Sequence, residues 1–142
     1  MWSYYWPILL IVVSNIVYNI VTKATPQNAN AFLSLTITYL MGSALAFIAY
    51  WISSSDTNLI GSLKNLNYTS FLLGFAIVGL EVGYIFLYRA GWNISVGSLV
   101  ANIILAIALI VVGVLFYKEN MNLTQIAGIL LCIVGLVLVN KK

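Results

Sequence analysis

The sequence predicts an all-α membrane protein with five transmembrane helices. Hydrophobic residues make up 63% of its 142 residues and charged residues only 6%, whereas soluble domains average about 25% charged residues. The mean hydropathy is +1.06, and long apolar stretches alternate with short polar interruptions. A chain with so few charges cannot cover a water-facing surface, so we expect a single transmembrane domain over residues 1–142.

Five stretches are apolar enough to cross a bilayer, which takes about 20 residues of helix. Pro26 and neighbouring asparagines suit the turn after the first span, and the longest polar interruption is the loop at 53–67. Asn122 followed by Gln125 resembles a capping box that opens the last helix, and Asn67 and Asn93 also read as helix caps. The expected spans are 7–22, 31–52, 68–88, 94–117 and 123–140.

The composition also bears on the class of protein. The six basic residues are scattered, which argues against a nucleic-acid surface and fits loops that lie against the lipid bilayer. There is no histidine, and there are only three acidic residues and one cysteine, Cys132. These are too few groups for a metal site or a catalytic Ser-His or Cys-His pair. We therefore expect no metal, no cofactor and no enzymatic activity.

An odd number of spans places the two termini on opposite sides of the membrane. Cytoplasmic loops carry an excess of basic residues, and this favours a cytoplasmic C-terminus in the cell (inner) membrane. The bias is weak and permits insertion in both orientations. The basic side chains on the predicted cytoplasmic side are Lys23, Arg89, Lys141 and Lys142, and those on the other side are Lys64 and Lys118.

Glu81 is an acidic residue in the middle of the third predicted span. A charge at that depth costs about 2.5–3.5 kcal/mol, unless the carboxylate is protonated, paired or facing a wet cavity. Burial disfavours the charged form, so Glu81 can exchange a proton for a substrate. Tyr84 and Tyr88 share its helical stripe and suit an organic cation through their ring faces. The alternative is a structural Glu81 that is hydrogen-bonded to a neighbouring helix.

Two further polar stripes interrupt apolar spans. Asn15 and Asn19, with Tyr18 beside them, lie on the first span, and Ser98 and Asn102 lie on the fourth. Such stripes face protein or water rather than lipid. They either line a cavity or hold helices together by interhelical hydrogen bonds of about 0.6 kcal/mol each.

Lys23 and Arg89 end the first and third spans on the same predicted side. Long basic side chains at helix ends usually anchor the helix among lipid headgroups. The alternative is that they bind an anionic or lipid-linked substrate. Gly79 and Gly83 form a G-x-x-x-G pair around Glu81, which we interpret as a helix-packing feature.

From the third span onward the chain resembles the drug/metabolite transporter superfamily, specifically one five-span EamA-like half. The resemblance lies in GYIFLYRAG, in NISVGSLVANIILAIALIVVGVLFYKE, and in KENMNLTQIAGILLCIVGLVLVN with Glu119 in its hairpin. The proline often found in the fourth span of the family is absent. The last four spans are also similar to the small multidrug resistance proteins, whose essential carboxylate lies in a different helix from Glu81.

The resemblance implies a small-molecule transporter. Members of the superfamily usually carry two five-span units in opposite orientations, and this chain has one. We therefore expect an antiparallel homodimer of ten helices that works by alternating access. A parallel dimer and a separate partner subunit are alternatives for the assembly. For the function, the alternatives are a non-transporting membrane subunit or scaffold, or a subunit of a lipid-linked sugar flippase.

Overall fold

The computed structural model describes residues 2–53 and 59–140, which are α-helical apart from turns and short connections. In a bilayer every backbone polar group must be paired within the protein, and a helix does this within one segment. The helices are α1 (Trp2–Ala24), α2 (Ala31–Ser53), α3 (Leu59–Lys64), α4 (Thr69–Arg89), α5 (Ile94–Tyr117) and α6 (Leu123–Asn140).

Four helices in the described part of the chain are long and apolar enough to cross a membrane, and they are α1, α2, α4 and α5. The four corresponding predicted spans are confirmed as helices, with ends that agree within a few residues. The helix α6 is also apolar but shorter. The all-α membrane architecture is therefore established, and the fifth span and the dimer stay predictions.

Two local features differ from the sequence expectation. The helix α1 begins at Trp2 rather than at Pro7, and Pro7 lies inside it. Pro7 is the sixth residue of α1, so its missing N–H removes one backbone bond of the second turn, where the first four N–H groups of the helix are unpaired in any case. The predicted loop at 53–67 contains the short helix α3. Residues 54–58 of that loop, like Lys141 and Lys142, lie outside the described residues.

The chain divides into two compact units. The first, which we call the terminal unit, comprises residues 1–20 and 91–142, and the second, the central unit, comprises residues 21–90. In the central unit α2 packs against α4. Its core joins Ala31, Leu35 and Ile85, with Tyr39 and Val82 packed against them.

In the terminal unit α5 packs against α6 as a hairpin. The turn depends on Lys118, which has a left-handed backbone with φ of 53°. The backbone N–H groups of Lys118 and Glu119 both donate to the carbonyl of Gly113. The Glu119 carboxylate lies over Gly113, where an added Cβ would come within 2.6 Å of its Oε2 atom. These contacts end α5 and reverse the chain.

The predicted caps have different outcomes. Asn122 and Gln125 form the reciprocal capping box, since each backbone N–H donates to the other's side-chain oxygen at 2.9 Å. Asn67 accepts a hydrogen bond from the backbone N–H of Thr69. Asn93 occupies the cap position of α5 but makes no side-chain capping bond, so the prediction of a capping side chain is wrong there. Asn30 caps α2 by accepting from the N–H of Leu33 at 3.1 Å.

Candidate functional site

Glu81 lies in the middle of α4 and is half-buried. Within residues 2–53 and 59–140 its carboxylate makes no ion pair and no hydrogen bond. Burial removes part of its solvent, and its charge acts on Tyr39 of α2. The structural alternative required a hydrogen bond from a neighbouring helix, and the described part of the chain shows none. Glu81 is therefore an unpaired acidic group at mid-span.

Tyr39 of α2 is a neighbour of Glu81 that sequence reasoning missed. Its hydroxyl lies close enough to the Glu81 carboxylate for the two groups to interact electrostatically. The same hydroxyl is buried and has no hydrogen-bond partner among the described residues. A polar side chain in the middle of the second span was the available signal, because it follows Ala31 and Leu35 at helical steps of four on the buried face.

Tyr84 and Tyr88 lie next to each other on α4, as the stripe predicted. Their ring centroids are 6.1 Å apart with the planes tilted by 39°. Tyr88 is buried with only 3% of its surface exposed, and Tyr84 is half-buried. The pair forms an aromatic surface that begins one helical turn beyond Glu81.

Lys23 lies over the ring of Tyr88. Its Nζ atom is 5.5 Å from the ring centroid, which is a cation–π geometry, and it donates a long hydrogen bond of 3.5 Å to the Tyr88 carbonyl. The face of this ring is therefore already occupied by a protein cation.

Arg89 connects the end of α4 to the turn between α1 and α2. Its Nη2 atom donates to the carbonyl of Ala29 at 2.6 Å and to the carbonyl of Pro26 at 3.3 Å. The sequence placed Arg89 at a membrane edge as an anchor, but these contacts across about 60 residues could not be read from it. Arg89 therefore has a structural contact within the central unit.

A mainly apolar groove with four polar side chains along it runs between α1 and α5 in the terminal unit, with a volume of about 540 Å³. Asn15, Asn19, Ser98 and Asn102 all line it, so the structure brings these four predicted residues together. Tyr18 lies on the same helix with its hydroxyl buried, and it is not among the lining residues. The remaining predicted residues, Glu81, Tyr84 and Tyr88, belong to the central unit.

The groove asparagines hydrogen-bond along their own helices. Asn19 Nδ2 donates to the backbone and side-chain oxygens of Asn15, and Asn102 Nδ2 donates to the carbonyl of Ser98 at 2.8 Å and to its Oγ at 3.2 Å. We expected bonds between helices or a cavity lining. The Asn102 bonds lie within α5 and Asn102 also lines the groove, so the choice between cavity lining and a link between helices stays a prediction.

A second groove of about 540 Å³ lies between α5 and α6. Its walls are apolar apart from a few polar groups at the hairpin, among them Glu119 and Gln125. Cys132 also lines it and is an exposed free thiol. Sequence reasoning missed this groove, because Glu119 and Gln125 read only as turn and cap residues.

Gly79 and Gly83 have open surroundings. A Cβ added at either position would meet no atom of the described residues within 4 Å. Close packing at this G-x-x-x-G pair is therefore not made within the described part of the chain. The surface is open to another molecule or to lipid.

Four helices that are long and apolar enough to cross a membrane indicate a multi-pass membrane protein. The chain matches the model of the EamA-like transporter family over residues 2–141, nearly its whole length. It belongs to that family, and the resemblance noted in the sequence is confirmed. No curated protein and no solved structure matches it significantly.

Proposed function

We propose that the protein carries small molecules across the membrane by alternating access and that Glu81 exchanges a proton for the substrate. The observation that supports this is the unpaired, half-buried carboxylate in the middle of a spanning helix. Intramembrane acids are costly and usually mark ion or substrate pathways. The described residues offer the Glu81 carboxylate neither a cation nor a hydrogen bond. Uptake of a proton or of a cationic ligand would therefore stabilise it.

The proposed substrate is an organic cation. Such a molecule competes with the proton for the Glu81 carboxylate, and this competition couples their movements. The ring of Tyr84, one turn away on the same face, offers a π surface for the positive group. Tyr88 continues the aromatic surface of Tyr84. In the terminal unit, Asn102, Ser98, Asn19 and Asn15 offer polar groups along the groove, with Tyr18 beside them on α1.

The proposed working unit is an antiparallel homodimer in the cell (inner) membrane. A transporter site usually lies between two inverted repeats, and one chain supplies one five-span unit. The weak charge bias of the loops permits insertion in both orientations. The open Gly79–Gly83 surface is available for close helix packing with a second copy.

The test is transport by purified protein in liposomes that contain a pH-sensitive dye. An inward proton gradient is imposed, and the movement of ethidium and of protons is followed together. We expect Glu81→Gln to abolish ethidium-driven proton movement and Glu81→Asp to retain part of it. The matched control is Glu119→Gln, which neutralises the hairpin acid and leaves the α4 site intact.

Two results would contradict the proposal. Coupled transport by Glu81→Gln at the wild-type rate across all pH values would exclude Glu81 as the coupling group. If Glu81→Gln loses assembly, and neither it nor the wild-type protein transports, the scaffold function gains support. Size-exclusion chromatography of each variant separates the two results.

A further inference from the structure

We propose that the ends of α1 and α4 form a binding site for a phosphate-bearing anion, separate from the Glu81 site. A small cavity of about 40 Å³ lies there in the central unit. Two basic side chains line it together with polar and apolar neighbours. The lining residues are Thr22, Lys23, Thr25, Gln27, Ile85, Tyr88 and Arg89.

The cavity is positively charged. Lys23 and Arg89 both line it, and none of its described lining residues is acidic. Arg89 donates to the neutral carbonyls of Ala29 and Pro26, and in the described chain it forms no ion pair. A charge at a low-dielectric membrane edge is stabilised by a counter-ion. An anion in the cavity would supply that counter-ion.

The guanidinium of Arg89 has donor capacity to spare. Its Nη2 atom makes both carbonyl bonds, whereas its Nε atom is buried and has no hydrogen-bond partner in the described part of the chain. A guanidinium presents five N–H donors in a planar fork, and this fork matches the oxygens of a phosphate.

The size and position of the cavity suit a phosphoryl group. A single water needs about 10–15 Å³ of such space, so about 40 Å³ exceeds what one water fills. Gln27 adds a side-chain amide that can donate to oxygen, whereas the Thr25 hydroxyl already donates to the carbonyl of Val21. Lys23 and Arg89 lie in the last turns of their spanning helices, and this is the depth at which phospholipid headgroups lie. A lipid headgroup and a soluble phosphorylated molecule share the required chemistry.

The experiment measures binding to the full chain after it has been stripped of lipid in a neutral detergent. Native mass spectrometry compares phosphatidylglycerol with diacylglycerol of the same acyl chains, which lacks the phosphate. In parallel, thermal unfolding compares inorganic phosphate with chloride at equal ionic strength. Preference for phosphatidylglycerol alone identifies a lipid site, whereas stabilisation by inorganic phosphate identifies a site for soluble phosphates. Either result supports the proposal.

The variants assign the binding to this cavity. We expect Lys23→Gln to lower the affinity for the phosphate-bearing ligand by about tenfold or more, because the substitution removes one charged donor. Lys64→Gln changes the net charge equally but lies outside the cavity, and it is expected to bind as the wild type does. If Lys23→Gln does not fold, Arg89→Lys replaces it, since it keeps the charge and removes the fork. Glu81→Gln is expected to leave the phosphate affinity unchanged. A loss of transport without a loss of phosphate binding would therefore separate the two proposals.

The proposal is overturned by either of two results. The first is a wild-type protein that binds diacylglycerol as well as phosphatidylglycerol and responds to phosphate as it does to chloride. The second is a folded Lys23→Gln or Arg89→Lys variant whose affinity for the phosphate-bearing ligand is within twofold of the wild-type affinity.

Discussion

The guanidinium of Arg89 donates a hydrogen bond of 2.6 Å to the backbone carbonyl of Ala29, 60 residues earlier in the chain. A second bond of 3.3 Å reaches the carbonyl of Pro26. These bonds tie the last turn of α4 to the turn from which α2 starts. They lie beside the core of Ala31, Leu35 and Ile85, so the side-chain bonds and the apolar contacts hold the same pair of helices.

Replacing Arg89 with Gln is expected to destabilise the protein by about 1.5–3 kcal/mol, the range for a hydrogen bond that involves a charged group. The measurement is thermal or denaturant unfolding in detergent. Lys64→Gln is the matched control, because it removes a basic side chain in the last turn of α3. Equal stabilities of Arg89→Gln and Lys64→Gln would show that the turn does not depend on Arg89.

Tyr39→Phe is expected to stabilise the protein by about 1 kcal/mol, because it removes a buried hydroxyl that has no partner in the described residues. Tyr50→Phe is the control, since the Tyr50 hydroxyl donates to Ser62 Oγ at 3.2 Å, and its loss is expected to cost about 0.5–1.5 kcal/mol. Denaturant unfolding measures both. The prediction fails if the two substitutions change stability in the same direction.

Tyr39→Phe is also expected to change the pH dependence of transport. The charge of Glu81 acts on the Tyr39 hydroxyl, so the two groups are neighbours, and removing the hydroxyl changes the surroundings in which the carboxylate takes up a proton. Ethidium transport in liposomes, measured over a range of pH, tests this point. A pH profile identical to that of the wild type would show that the hydroxyl plays no part in coupling.

Asn122→Ala is expected to cost about 0.5–2 kcal/mol, because the substitution removes a reciprocal capping bond at the start of α6. Asn93→Ala is the matched control, since Asn93 has the same position at α5 but no side-chain capping bond. The free energy of unfolding in detergent is the readout. A larger loss for Asn93→Ala than for Asn122→Ala would contradict the assignment.

Lys118→Gly is expected to stabilise the protein by about 1 kcal/mol. Lys118 has a left-handed backbone, a conformation that costs a residue with a Cβ about 1–2 kcal/mol and costs glycine little. Lys118→Ala removes the same charge and keeps the Cβ, so it is expected to give no such gain. Thermal unfolding of the three proteins decides between a backbone effect and a charge effect.

The topology test uses one cysteine at the C-terminus. Cys132 is exposed, so Cys132→Ser is combined with Lys142→Cys, and intact and opened cells are treated with a membrane-impermeant thiol reagent. About half of the protein is expected to react from each side, because the loop charges hardly bias the orientation. Labelling from one side alone would exclude the antiparallel homodimer and indicate a partner of opposite orientation.

Sequence reasoning succeeded where the determining forces are local. The reciprocal bonds of Asn122 and Gln125 join residues three positions apart, so their spacing alone predicted them. Asn93 shows the limit of that reasoning, because a residue suited to a cap can occupy the cap position without using its side chain. The short helix α3 was missed because six residues are too few to show a clear periodicity.

The sequence by itself determined that this is an all-α membrane protein of the EamA-like family and which stretches form its long apolar helices. Hydrocarbon requires helices of a certain length and apolarity, and both can be counted along the chain. Only the tertiary structure decided that Arg89 holds the turn at Ala29, that Lys23 lies over Tyr88 and that Tyr39 lies near Glu81. These contacts depend on which helices pack together and in what register. The residue pattern of a single helix shows which face is apolar, but it does not identify the neighbouring helix.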